Sequence, residues 1–491
     1  MDRVFVDSAD PCEIAHSWSV YCDYTQLHAV LAQAAARAAR TGQPTLASLI
    51  LPVPNCDALW FFRTLQCLTP GECFYWEQPS RQMALVGGGT ALSLQTDASE
   101  RFTQANQEWQ HLLATAVIQR ASDLIDSAHG PALFGGFSFD PLRTPSSLWQ
   151  DFPAGLLILP RLLFSQRNQQ TTLTLNHLVR PGDDLDRLAD EINAQVAKLA
   201  RLLPALPEMT PTGSHEYTTR DIWPAQDWQE LVRKTVRKIQ QGQYAKVVLA
   251  REVEVKDGTR PFSVDATLQC LRQSYPGANV FAFQRGKQTF IGATPERLVY
   301  AQDGQLHTMA LAGSAPRGIN EEDDDRLGNE LLHSSKNRQE HEIVSSTIRQ
   351  ALEQLCSRIW INDTPELLRL KNIQHLQTAI VGELLPGRSI LEALQMLHPT
   401  PAVGGSPTRA ALTFIREHEN LDRGWYAGPL GWIDLQGNGE FAVALRSALL
   451  EKHRARLFAG CGIVADSDPA TEYAESCLKL QVILRSLSGE E

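Results

Sequence analysis

Along the 491 residues the hydrophobic period switches between two and about 3.6 without a regular rhythm. That irregularity constrains the fold more than any other feature. A doubly wound sheet needs strands and crossover helices in steady alternation, whereas antiparallel sheets tolerate any order. From 46 to 95, short apolar runs are broken by Pro, Gly and Asn. Leu46–Leu51, Leu59–Phe62, Cys73–Trp76 and Met83–Val86 predict strands there. The Ala-rich stretch 26–40 predicts a helix, and a long helix is expected over Ala98–His129. Strands follow at Ala132–Phe139, Gly155–Phe164 and Thr171–Leu178, then a helix over 183–203. Pro204–His215, with Pro204, Pro207, Pro211 and Gly213 in a polar context, reads as a linker. A helix over Ala225–Gln241 and a strand over Lys246–Val255 follow it. The expectation is an α+β chain with large, mostly antiparallel sheets.

Composition removes several function classes. Net charge is −11, spread without an acidic tail, whereas nucleic-acid binding wants basic patches. No apolar run approaches the ~18 residues that a membrane helix needs. The start, Met1–Asp10, is too acidic for a signal or transit peptide. Nine cysteines are scattered with no C-x-x-C pair, which speaks against zinc ribbons and thioredoxin motifs and fits a reducing cytoplasm. Gly87-Gly88-Gly89-Thr90 has Leu92 where a dinucleotide fingerprint needs its third glycine, so it reads as a turn. His341-Glu342 is followed by Ser345 where a zinc-protease motif needs histidine.

The chemistry concentrates in the last half. Near the C-terminus Gly460-Cys461-Gly462 reads as a turn that exposes backbone N–H groups to a ligand. Asp468 then caps a helix that Pro469 opens. Glu472, Glu475 and Lys479 share one face of that helix, and Tyr473, Cys477, Leu480, Leu484 and Leu487 form the apolar stripe. Such a face suits a hard cation with an anionic molecule, or simply solvated acids on an amphipathic helix. Lys246 opens an apolar strand and is either a solvent-facing residue or, if turned inward, a desolvated base. Glu296, in Ala293-Thr294-Pro295-Glu296, is either an ion-pair partner of Arg297 or a carboxyl kept protonated as an acid. Met309–Gly318 reads as a small-residue loop, and Glu340 lies in a long helix beside Ile343 and Val344. Arg446 ends an apolar strand, where its guanidinium can clamp a carboxylate.

These segments, in this order, resemble the chorismate-utilising enzymes. The residues that carry the resemblance are Ala-Thr-Pro-Glu, Leu-Ala-Gly-Ser, Gln-Glu-His-Glu and His-Pro-Thr-Pro-Ala, then Gly-Cys-Gly-Ile-Val followed by Glu-x-x-Glu-x-x-x-Lys. The resemblance is strong over 217–491, the expected chorismate-binding catalytic region. It is thin over 1–205, which is expected to lend strands and helices to the same two-lobed α+β body of antiparallel sheets with helices outside, with Pro204–His215 as a surface crossing. It implies Lys246 as general base, because the water-using branches carry lysine there. It further implies Glu296 as general acid. Mg²⁺ would be held by Glu340 and Glu475 with Glu472 in support. Gly313 and Lys479 would hold the ring carboxylate. Tyr426, Arg446 and Gly460 would grip the enolpyruvyl carboxylate, with His375 and Ala402 lining the pocket. Ser314 stands where the salicylate branch has threonine, and Ala312 where the covalent-lysine branches have lysine. The implied activity is isochorismate synthase, Mg²⁺-dependent, with the product feeding menaquinone or phylloquinone synthesis. Salicylate synthase is the alternative, and a non-catalytic relative the remote one. The implied protein is cytoplasmic, a monomer or weak dimer, with no amidotransferase subunit.

Overall fold

The structure is a computed structural model that describes residues 22–97, 99–121, 130–167, 170–205, 217–369 and 373–489. The acidic start and the 206–215 part of the expected crossing lie outside the described residues. The chain divides into two compact units. The first takes the described residues of Met1–Ser93, Trp109–Ala132 and Ile158–Thr210, and the second those of Leu94–Glu108, Leu133–Leu157 and Pro211–Glu491. Among the described residues no helix is long and apolar enough to cross a membrane.

In the first unit the Thr45–Pro52 strand pairs antiparallel with Gln170–Val179 and parallel with Val117–Arg120. Cys73–Gln78 and Met83–Thr96 form an antiparallel hairpin. Two expectations fail here. Leu59–Phe62 is not a strand but part of the Ala58–Leu68 helix, capped by Asp57, whose carboxylate accepts from the Leu59 and Trp60 amides. Its buried Phe61, Phe62 and Leu65 recur at helical spacing, and that pattern outweighs the local β-propensity. Of the expected long helix over Ala98–His129, Arg101–Thr115 is helical, the β-branched Val117-Ile118 pair opens a strand instead, and Ala98 and 122–129 lie outside the described residues.

The second unit is built from antiparallel ladders with helices packed against them, the α+β class expected from the sequence. One ladder runs Tyr217–Asp221, Lys246–Asp257, Arg454–Ile463, Ser447–Glu451, Gln288–Thr294 and Asn279–Arg285. The other runs Pro429–Asp434, Gly439–Val443, Arg297–Gln302, Gln305–Pro316, Ile373–Leu384 and Cys356–Ile361. Aromatic packing fixes the core, with Phe152 and Phe283 against Trp425 and Trp149 against Phe290. The two ladders meet in sequence at Thr294-Pro295-Glu296-Arg297, where one strand ends and the next begins.

The Gly460–Gly462 stretch is not a turn. It lies inside the Arg454–Ile463 strand, with Gly460 opposite Ala250 and Gly462 opposite Val248. Side chains alternate across a strand, so Lys246, Val248, Gly460 and Gly462 share one face of this ladder. The Met309–Gly318 stretch is likewise mostly strand, Gln305–Pro316, broken by a bulge between Ala312 and Ser314. Gly313 is the bulged residue and sits at φ +80°, a left-handed conformation that suits glycine.

Candidate active site

The C-terminal helix, Pro469–Ser488, forms as its sequence predicts. The Asp468 carboxylate accepts from the Thr471 amide at 2.9 Å, and Gly489 ends the helix at φ 73°. Leu480, Leu484 and Leu487 are buried as expected, while Tyr473 and Cys477 are only half-buried. Tyr473 is held instead by its hydroxyl, which donates to Asp221 at 2.6 Å. The acidic face is not solvated. Glu472 is buried, and the Glu475 carboxylate accepts from Lys479 Nζ at 2.6 Å.

This face closes one side of a cavity of about 190 Å³. All thirteen residues singled out above line it: Lys246, Glu296, Gly313, Ser314, Glu340, His375, Ala402, Tyr426, Arg446, Gly460, Glu472, Glu475 and Lys479. Lys246 points inward. It is 1 % exposed, and its Nζ donates to Glu340 Oε1 at 2.8 Å. The Ser335–Leu352 helix supplies Glu340. Glu296 is buried, and Arg297 does not pair with it; Arg297 Nε donates to Glu440 at 2.8 Å. Burial pushes the Glu296 carboxyl up to about 7, although Lys246, Arg446 and Lys479 pull the other way. It therefore holds its proton up to neutral pH and can donate it.

Neighbouring charges set the rest. Burial works to raise the Glu475 carboxyl, but Lys479 prevails and holds it below the usual range. Burial and the adjacent Glu475 raise Glu472. His375 sits opposite Ser314 across the bulge, with its Nδ1 2.8 Å from Ser314 Oγ. Burial, then Arg446 and Lys479, keep its imidazole neutral. Burial pushes the Tyr426 hydroxyl up to about 12, so it is a neutral donor. Arg446 lies beyond the strand end, three residues after Val443, in a left-handed conformation at φ 49°. It is 8 % exposed, and among the described residues its guanidinium has no hydrogen-bond or ion-pair partner. Such strain at a non-glycine residue with an unmatched charge is characteristic of a ligand contact.

Several lining residues escaped the sequence reading. Lys336 Nζ lies 3.6 Å from Glu472 Oε1, and Asn337 packs beneath Gly313. The i, i+4 spacing of Lys336 and Glu340 was a usable signal. Arg423 left none. It forms a buried bidentate pair with Glu419, at 2.7 Å on both arms, and donates to the carbonyls of Val403 and Val248. Glu419 also accepts from the Ala250 amide, so the network ties the Lys246–Asp257 strand to the Ala402-Val403 wall.

A buried acid, an inward lysine, an unmatched arginine and a carboxylate pair around one cavity suit an anionic substrate that undergoes proton transfers. A family model described as chorismate binding enzyme matches residues 31–488. The chain belongs to the chorismate-binding enzymes. Among relatives of this family, isochorismate synthase MenF of Bacillus subtilis (strain 168) is 39% identical over 458 residues, covering 92% of this chain and 96% of the relative. The salicylate biosynthesis isochorismate synthase of Pseudomonas aeruginosa is 42% identical over 421 residues, 85% of each chain. The structure of MenF, the menaquinone-specific isochorismate synthase from Escherichia coli, superposes with a TM-score of 0.75 at 28% identity, covering 93% of this chain and 99% of that one. This chorismate-binding chain therefore has isochorismate synthases as relatives along nearly its whole length.

Proposed function

We propose that this chain is an isochorismate synthase that adds water at C2 of chorismate and releases the C4 hydroxyl. The observation that carries the reading is that an inward lysine, Lys246, and a buried glutamate, Glu296, whose carboxyl burial pushes up to about 7, line one cavity. Water needs a base to lose its proton, and a hydroxide leaving group needs an acid to become water. Lys246 takes the proton of the attacking water, and Glu296 delivers one to the departing oxygen. One water enters and one leaves, so the reaction is an isomerisation. As the base, Lys246 acts as an amine with two N–H donors and one lone pair; one N–H meets Glu340, and the lone pair takes the proton of the water. Arg446, Tyr426 and the Gly460 amide bind the enolpyruvyl carboxylate, and Lys479 with the Gly313 amide binds the ring carboxylate. His375 and Ala402 bound the ring.

We assign Mg²⁺ to the carboxylates of this cavity. Ligand atoms of Glu472, Glu475 and Cys461 lie within 4.8 Å of one another, and the two carboxylates supply the hard oxygens that this ion prefers. Glu340 lies outside that cluster, turned to Lys246, and is the third carboxylate available to the ion. When bound, the ion supplies positive charge for the substrate carboxylate. The menaquinone specificity of the Escherichia coli MenF supports menaquinone synthesis as the destination, and the buried thiols of Cys56, Cys73, Cys356 and Cys461 suit a cytoplasmic enzyme.

Product identification tests the reading. Chorismate with Mg²⁺ should give isochorismate without pyruvate, and Lys246→Ala should lose at least ~10²-fold in turnover. Salicylate with an equivalent of pyruvate would replace this reading with salicylate synthase. Unchanged turnover in the variant would remove Lys246 from the mechanism.

A further inference from the structure

A second cavity of about 260 Å³ shares Pro295, Arg446 and Lys479 with the catalytic one. Its character is different. Tyr275 and Pro276, which follow the Val264–Ser274 helix, form one side. Leu478 and Val482, one turn apart on the C-terminal helix, form another. Leu478 is 45 % exposed, so its side chain keeps apolar surface that a ligand can cover. Dry walls with a few convergent polar groups are the usual makeup of a small-molecule site. An apolar cavity of ~150 Å³ is enough for benzene, so this one has room for a second fused ring.

Charge complementarity selects the ligand class. Lys479 is neutralised by Glu475, and the rim residue Arg369 pairs with Asp324 and Asp325. Arg446 alone among the lining cations has no protein partner among the described residues. We propose that this second cavity binds an aryl carboxylate, with its ring between Tyr275, Leu478 and Val482 and its carboxylate on Arg446. Because Arg446 serves both cavities, such a ligand competes with the substrate for one guanidinium. Aromatised descendants of a cyclohexadiene carboxylate have this chemistry, so the site provides feedback inhibition. The competition rests on the assignment of Arg446 to substrate binding; occupancy of the cavity does not.

The probe is 2-naphthoate, with 2-naphthol as the uncharged control, on the full chain. Naphthoate should raise Tm without chorismate present, and should raise the KM for chorismate while kcat holds. Naphthol should do neither. Val482→Phe fills the cavity from outside the catalytic machinery, and should weaken naphthoate by ~10-fold or more with chorismate turnover kept. Leu478→Asp should do the same if Val482→Phe fails to fold. Absence of a Tm shift at millimolar naphthoate, or equal inhibition of the filled variant and the parent, overturns the proposal. Arg446→Ala separates the two readings. An unchanged chorismate KM removes Arg446 from substrate binding, whereas lost naphthoate binding in the same variant still upholds the second site.

Discussion

Gly462→Ala should leave the protein folded and take away most of its activity. Gly462 lies on the cavity face of its strand, where the missing side chain leaves room for Lys246 and Glu340 to meet. A Cβ there would stand 2.6 Å from Lys246 Cε, 2.8 Å from Glu340 Oε1 and 3.1 Å from Lys246 Nζ. Carbon atoms settle at ~3.5–4.0 Å, so Cε would have to retreat by about 0.9 Å. The clashing atoms are the far ends of two flexible side chains, so the fold can yield locally. Gly462 is not in a left-handed conformation, and alanine there should stiffen the unfolded chain, changing stability by about +0.4–1 kcal/mol. A general base misplaced by ~1 Å costs ~10²-fold in rate. The expected result is therefore a kcat lower by ~10²-fold with Tm unchanged or slightly raised. Steady-state isochorismate formation and thermal unfolding, with Lys246→Ala in parallel, measure both. A near-normal kcat beside an inactive Lys246→Ala would refute the positional argument and leave the base assignment standing. A fall in Tm that tracks the loss of activity would make the glycine merely structural.

Three further outcomes are expected. In the proposed role Glu296 acts in its protonated form, and burial pushes its carboxyl up to about 7, so kcat/KM should fall tenfold per unit as pH rises above about 7. Glu296→Gln should abolish that limb together with at least ~10²-fold of the rate, and a limb that persists assigns it to another group. Glu340→Gln should raise the Mg²⁺ concentration for half-maximal activity by at least ~10-fold, and an unchanged Mg²⁺ titration would take Glu340 out of the metal shell. Glu419→Ala strands Arg423 and the Ala250 amide in the interior, and should cost about 3–5 kcal/mol in denaturant unfolding. A change below ~1 kcal/mol would show that the network is dispensable for stability.

The sequence alone carried the local signals. Asp468 and Pro469 specify a helix start through one side-chain acceptor and one fixed φ, and the helix begins there. The irregular succession of strands and helices spoke against a doubly wound sheet, and the ladders of the second unit are antiparallel. The ordered motifs gave the family and many of the site residues, because short spacings and residue types survive in one dimension; Lys246, His375, Tyr426 and Arg446 lie outside those motifs and came with the family resemblance. Where it failed, long-range contacts decided the outcome. Leu59–Phe62 is apolar enough for either period, and burial of Phe61, Phe62 and Leu65 on one helical face settles it. Gly460 and Gly462 read as a turn because glycine usually marks one. Pairing with Lys246–Asp257 makes them a strand whose bare face admits a lysine from far upstream. Whether Lys246 faces water or the interior, and whether Glu296 pairs with Arg297 or keeps its proton, depended on burial and on Glu440 taking the arginine. Proton affinities follow desolvation and neighbouring charge, and both are properties of three-dimensional surroundings.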